Sequence, residues 1–364
     1  MSKLLELSDI LLIPAMENNG WNKKVDYSVI DNLEVTGMSK SLPIFTSPME
    51  AIIGVNNWKV WQDNGIKTIL PRTVPLNVRL EACTVIFSAF SIQEVKEYFI
   101  DRDMRSNNSQ YHITIDSGNG HDTYMFYLGN KLKQMYGNQV ILMGGNIANP
   151  NTYLQYSSSG FDYVRVGISS GSLVDKDKYG FHYPMASLLG SISQIKKQKG
   201  NTCRNVKVIA DGGIKTHSDV LKAIAMGADY VMIGRQFAEC IEAYGTIYKR
   251  TIKSDQDIIE EVQNPESLKN LSDIELKNLD LVRQYFGNTT PEMQALRAGF
   301  NDIDSWSKSN PRVRITDSEW IWVNVTTSIV DWVKDFKECA MYGFMMSNSA
   351  NWIEFKDRVL YGEK

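Results

Sequence analysis

The feature that most constrains this chain is a rhythm. Short runs of β-forming residues recur at PIFTS (43–47), IKTIL (66–70), TVIFSAF (84–90), YHITIDSG (111–118), QVILMGG (139–145), DYVRVG (162–167), VKVIADGG (206–213) and DYVMIG (229–234). Many end in Gly, Ser, Asp or Pro, and stretches of helical length separate most of them. The clearest unit is VKVIADGG-IKTHSDVLKAIAMGA-DYVMIG (206–234): an apolar strand, a glycine turn, a helix capped near Thr216 or Ser218, a Gly-Ala stop and a second apolar strand. Continuously apolar strands alternating with helices imply a parallel sheet covered on its outer face. Eight of them over about 190 residues is the count of a (β/α)8 TIM barrel; an open doubly wound sheet is the competing arrangement. The third helix–strand unit, around TVIFSAF, is the least sharply marked.

The pattern changes after residue 250. Residues 251–281 are charged and polar and read as surface helix with loop, or an insertion; 301–318 read as a polar flap, and two helical pieces follow at roughly 321–343 and 349–359. No second core of domain size is evident, so the expectation is one barrel domain over 1–364, with 251–320 as an insertion and flap segment and 321–364 as helices packed on the barrel. Net charge is −3 with 39 basic and 42 acidic residues. No basic block offers a surface for nucleic acid; IKKQKGNTCRNVK (195–207) reads as a solvated helix end. No apolar run reaches about 18 residues, the length of a membrane span. The N-terminus lacks the marks of a signal peptide. Cys83, Cys203, Cys240 and Cys339 lie far apart without metal spacing, which suits reduced thiols in the cytoplasm.

In a barrel the chemistry sits at the carboxyl ends of the strands, and phosphate sites often form after the seventh and eighth. Here those ends carry Asp211-Gly212-Gly213 and Gly234-Arg235, and the loop after the sixth adds Gly171 and Ser172. Glycine lets backbone approach phosphate oxygens, so three such loops on one face make a phosphomonoester cradle; tight βα turns are the plainer alternative. Asp211 suits a ribose diol, or else a structural hydrogen bond. Asp116, with Asn119 beside it, could hold a second ribose or a cofactor amide, or form an Asx-type turn. His121 and His182 lie on active-face loops and read as polar loop residues more readily than catalysts. His112 and His217 read as structural, and no metal site is expected.

These residues, taken with SDILLIP (8–14), PIFTSPME (43–50), IDSGNGH (115–121), GGNIANPNT (144–152), VRVGISSGS (164–172) and YFGNTTPEMQ (285–294), resemble the inosine-monophosphate dehydrogenase / guanosine-monophosphate reductase family. The resemblance covers most of the chain, with no room for an inserted CBS pair. It implies a barrel that binds a purine nucleoside monophosphate beside NAD or NADP, in a homotetramer. Ser172, Gly212, Gly213, Gly234 and Tyr285 would hold the 5′-phosphate and Asp211 the ribose. Gly287 and Asn288 would lie beside the purine, with Asp116, Ser117 and Asn119 toward the cofactor.

The departures are equally specific. In GISSGSLVDKDKYG (167–180), Val174 stands where the family has its nucleophilic cysteine, and Asp175, Lys176 and Asp177 replace two threonines and an arginine. A valine cannot attack a purine. The monovalent-cation site built on this loop in dehydrogenases is therefore in doubt. EWIWVNVTT (319–327) lacks the family's acid for the purine edge, and Arg312 and Arg314 have no tyrosine to complete the flap pair. Two readings follow: an oxidoreductase-like enzyme with altered, non-covalent chemistry, in which Asp175, Lys176 or Asp177 act as acid or base, or a nucleotide-binding regulatory protein on the same scaffold. In a third, a nucleophile comes from elsewhere, such as Cys240.

Overall fold

A computed structural model describes residues 3–15, 41–106, 109–171, 173, 180–200, 205–253, 256–287, 290 and 320–364. All eight expected barrel strands form: Ile44–Thr46, Ile69–Leu70, Phe87–Phe90, Tyr111–Ile115, Val140–Ile147, Tyr163–Val166, Lys207–Asp211 and Tyr230–Ile233. Each runs parallel to its neighbours in one sheet. A parallel bridge between Phe45 and Lys67 joins the first strand to the approach of the second and closes the ring, giving a (β/α)8 barrel.

Alternation along each strand explains why the runs are apolar throughout. One set of side chains (Phe45, Ile69, Phe87, Ala89, Met143, Tyr163, Ile209, Tyr230 and Met232) fills the barrel interior. The other set packs outward under the helices, as Val208 and Ala210 do. Phe45 makes edge contacts with Phe87, Tyr163 and Tyr230 at centroid distances of 5.9, 6.1 and 5.3 Å. Thr216, rather than Ser218, caps the helix His217–Ala225: its hydroxyl accepts from the Asp219 N–H, and Asp219 answers to the Thr216 N–H. His112 is buried beside Phe87, and His217 stands on Trp332, in keeping with structural roles.

Two expectations need correction. Residues 251–281 are not mainly surface helix. Ile247–Lys253 and Gln256–Glu261 form a hairpin, and the only α-helix there among the described residues is the short Asp273–Asn278. With Leu281–Tyr285 and Ile321–Asn324 they build a four-stranded antiparallel sheet. The run IYKRTIK is mixed in character and carries several charges, so it lacks the clean apolar signal of the barrel strands. Behind the sheet lies a small separate cluster of Ile241, Ile247, Leu268, Leu276, Leu281 and Val325. The C-terminal pieces also differ: Ile321–Asn324 is strand, and the helices are Ile329–Met346 and Trp352–Arg358. The final strand, Leu360–Glu363, pairs antiparallel with the N-terminal Ile10–Ile13. The expected flap, 301–318, lies outside the described residues.

The C-terminal helices are fixed by packing and by charge. Trp332 donates to Gln236, which in turn donates to the Ile214 carbonyl beside the glycine turn. Asp229, between helix and eighth strand, takes Lys356 at 2.9 Å, Lys196 at 3.2 Å and the Val208 N–H at 2.8 Å. Burial alone would push its carboxyl up, but Lys356, Lys196 and Lys207 outweigh burial and hold it at about 2. A depressed carboxyl stabilises the fold above its unfolded value and loses that contribution as pH falls through the folded one. The drop from 3.8 to about 2 corresponds to about 2 kcal/mol. In urea unfolding at pH 7, Asp229→Asn is expected to cost at least this much, with the gap to wild type narrowing as pH falls from about 5 toward 2.5; a gap independent of pH would refute the assignment.

Candidate functional site

At the carboxyl mouth of the barrel lies a cavity of about 700 Å3, within the roughly 300–1,000 Å3 usual for small-molecule sites. Its walls come from the ends of the sixth, seventh and eighth strands, from Ser47 and Met49 after the first, from Tyr285 and Gly287 beyond the small sheet, and from Glu6, Leu7 and Ser8 at the N-terminus. Of the residues singled out in the sequence, it brings together Gly171, Asp211, Gly212, Gly213, Gly234, Arg235, Tyr285 and Gly287. Ser172, Val174, Asp175, Lys176, Asp177 and Asn288 lie outside the described residues.

Close packing dictates glycine at two of these points. Gly212 has φ +97°, and a Cβ there would come within 2.9 Å of Ser170 in the neighbouring loop. A Cβ on Gly234 would lie 2.4 Å from the Tyr285 hydroxyl. Tyr285 is carried to this spot by a strand that Arg283 anchors. The guanidinium of Arg283, fully buried, donates to the carbonyls of Ala238, Cys240, Ile241 and Gly245. Burial lowers its pKa to about 10, with no carboxylate hydrogen-bonded to it among these contacts. The Tyr285 phenol is pushed upward, chiefly by burial and further by Asp211.

A second buried arginine organises the mouth. Arg165, from the interior face of the sixth strand, donates from Nη1 to Asp116 at 2.9 Å and from Nη2 to the Asn146 carboxamide oxygen. Its Nε lies 3.2 Å from Asp211, as an ion pair rather than an aligned hydrogen bond. Asn146 completes the frame by donating to Asp211 at 2.7 Å and to the Gly167 carbonyl at 2.8 Å. Burial works against the Arg165 charge, but Asp116 and Asp211 outweigh it and raise the pKa. Asp211 is thus held at the cavity wall as a hydrogen-bond acceptor of fixed direction. Neither Arg165 nor Asn146 stood out in the sequence.

Asp116, Ser117 and Asn119 do not line the cavity. Asp116 is committed to Arg165; the Asn119 carboxamide accepts from the His121 N–H, and Ser117 pairs with Asn119 backbone. His121 bridges Thr152 and the Ala148 N–H, away from the cavity. His182 does line it, paired with Glu6 at 2.7 Å. Cys240 is fully buried, its thiol turned to the Gln236 carbonyl and pushed far up by burial, so it is no nucleophile. At the eighth strand, Arg235 lies 3.5 Å from Glu239, whose carboxyl burial pushes up against the pull of Arg235. Among the described residues no group of three His, Cys, Asp or Glu gathers as a metal site, and no helix is long and apolar enough to cross a membrane.

Fold and cavity together define an α/β barrel with a glycine-walled pocket and a fixed carboxylate at its carboxyl mouth. Residues 94–256 match the IMP dehydrogenase / GMP reductase domain. The chain is 27% identical to GMP reductase of Bacillus licheniformis over 316 residues, 84% of this chain and 90% of that one. It is 28% identical to GMP reductase of Bacillus subtilis over 267 residues, covering 68% and 77%. A 127-residue stretch is 40% identical to inosine-5'-monophosphate dehydrogenase of Borreliella burgdorferi, covering 35% and 30%. The chain is therefore similar to GMP reductases over most of its length and to the IMP dehydrogenase / GMP reductase domain over residues 94–256.

The Arg165 frame yields a direct expectation. Arg165→Met leaves two buried carboxylates without their cation, which should cost roughly 3–5 kcal/mol in urea unfolding. Arg165→Lys, keeping the charge but not the fork, should cost less. Equal stability of Arg165→Met and wild type would show that the frame does not hold the mouth together.

Proposed function

We propose that the cavity binds a purine nucleoside monophosphate and that the protein is an oxidoreductase-like enzyme acting on it. The observation that carries this reading is Asp211, fixed by Asn146 and Arg165 at the cavity wall immediately before Gly212-Gly213. Asp211 would accept from the ribose hydroxyls, while the backbone of Gly171, Ser172, Gly212, Gly213 and Gly234, with the Arg235 guanidinium and Tyr285, would hold the phosphate. Gly287 and Asn288 would flank the base. The redox partner would be NAD or NADP, as the family resemblance implies. With Val174 present no covalent bond to that residue can form, and Asp175, Lys176 and Asp177 would supply acid or base. The protein would act as a homotetramer in the cytoplasm, in one domain that includes the C-terminal elements.

A second reading has its own support. Asp116, Ser117 and Asn119 are engaged with neighbouring residues and lie outside the cavity, so as they stand they do not fit a dinucleotide there. That arrangement favours a protein that binds the nucleotide alone, as a regulatory module on the same scaffold.

Thermal-shift measurements with IMP, GMP, AMP, XMP and their deoxy forms, each with and without NAD(H) or NADP(H), separate the readings. A ligand at a hundred times its Kd stabilises by about 2.7 kcal/mol. Joint stabilisation by a monophosphate and a dinucleotide, with absorbance change at about 340 nm on mixing, is the result expected for the enzyme. Stabilisation by the monophosphate alone supports the second reading. Asp211→Asn is expected to weaken a ribonucleotide roughly tenfold or more. A full panel without any stabilisation would sink both readings.

A further inference from the structure

The N-terminal segment reaches the cavity through one side chain. Leu7 is buried in the main core, and Leu5 exchanges two hydrogen bonds with Ser187, at 2.8 and 3.1 Å. Between them Glu6 places its carboxylate at the N-terminus of the 15-residue helix Met185–Lys199, where it accepts from the Met185 N–H at 3.1 Å. That helix starts after Pro184 without a side-chain cap of its own, so Glu6 supplies the negative charge its dipole favours. The other Glu6 oxygen takes His182 Nε2 at 2.7 Å, and His182 Nδ1 lies 3.2 Å from the Ile168 carbonyl. Ile168 opens the loop after the sixth strand, and Ser170 in that loop is the surface against which Gly212 is packed.

We propose that Glu6 and His182 are positioning residues of the nucleotide site. They clamp the sixth-strand loop against Gly212-Gly213 and make the N-terminal segment a working wall of the cavity. Both ring nitrogens of His182 already face oxygen atoms, so the ring offers a ligand no free nitrogen, and its role is to hold Ile168 rather than to exchange protons with substrate. Glu6 and His182 both border the cavity, with side chains 31% and 13% exposed, so displacing either changes the cavity wall itself. The proposal rests on the reading of the cavity as a nucleotide site. Its two residues lie 176 positions apart, so only the fold joins them.

The test uses the full chain, with IMP and GMP as probes in isothermal titration. His182→Gln and Glu6→Gln are each expected to raise Kd about tenfold. The double variant should be no weaker than the worse single one, because the clamp is lost once. Amide exchange at 168–171 should quicken in the variants while the helix Met185–Lys199 stays protected; this separates loop positioning from general loosening. Unchanged Kd in the single variants, with wild type binding normally, overturns the clamp and leaves the nucleotide reading standing. Failure of wild type to bind either probe overturns the nucleotide reading, and the clamp with it. Should the variants not fold, ring resonances of His182 in labelled wild-type protein are followed as IMP is added: movement at saturation is expected, and an unmoved ring overturns the clamp.

Discussion

The mouth of this barrel depends on one cation. Asp116 from the fourth strand and Asp211 from the seventh both point into the same buried space, and two carboxylates brought together there repel and lose hydration. Arg165 makes the arrangement possible because its planar fork reaches Asp116, Asn146 and Asp211 at once from the sixth strand. The same contact sets the division of labour. Asp116 is drawn into the frame and away from the cavity, while Asp211, also held by Asn146, stays at the wall. One interior side chain therefore decides which of two similar acids faces a ligand.

What could be read in the sequence follows from the range of the interactions involved. The barrel strands are legible because their signal is local: a run of β-formers, then a glycine turn, then a capped helix such as Thr216–Ala225. The antiparallel sheet after residue 246 is built from strands such as IYKRTIK, where charged and apolar residues share a face and no alternation shows. Arg165 is hidden inside an apolar strand, where nothing in DYVRVG says that its head crosses the barrel mouth. Asn146 and Glu6 are equally silent, since their partners lie 65 and 176 residues away. The glycines at 212 and 234 stand out in the sequence, but the reason each must be glycine is a neighbour from another element.

The glycines at the mouth show where constraint resides. Replacing Gly212 or Gly234 would drive a Cβ into Ser170 or Tyr285, so both glycines are fixed by the packing. A nucleophile, by contrast, is a single side chain, and exchanging it alters the chemistry of a site without remaking the backbone that surrounds it. A barrel mouth can therefore keep its packed shape while a single side chain in a neighbouring loop is exchanged.

The placement of negative charge around the mouth narrows where an anion would sit. The helix after the sixth strand already has Glu6 at its N-terminus. The helix after the seventh has Asp219, which accepts from the Lys215 and Thr216 N–H groups. An incoming phosphate would meet a carboxylate at either end, and like charges at that distance repel. The wall also presents Lys215 after the seventh strand and Arg235 after the eighth, the latter paired with Glu239 at 3.5 Å. Under the proposed reading, Arg235 and Lys215 are cations at the cavity wall that a phosphate would meet, and Asp211 is the acceptor left for a sugar.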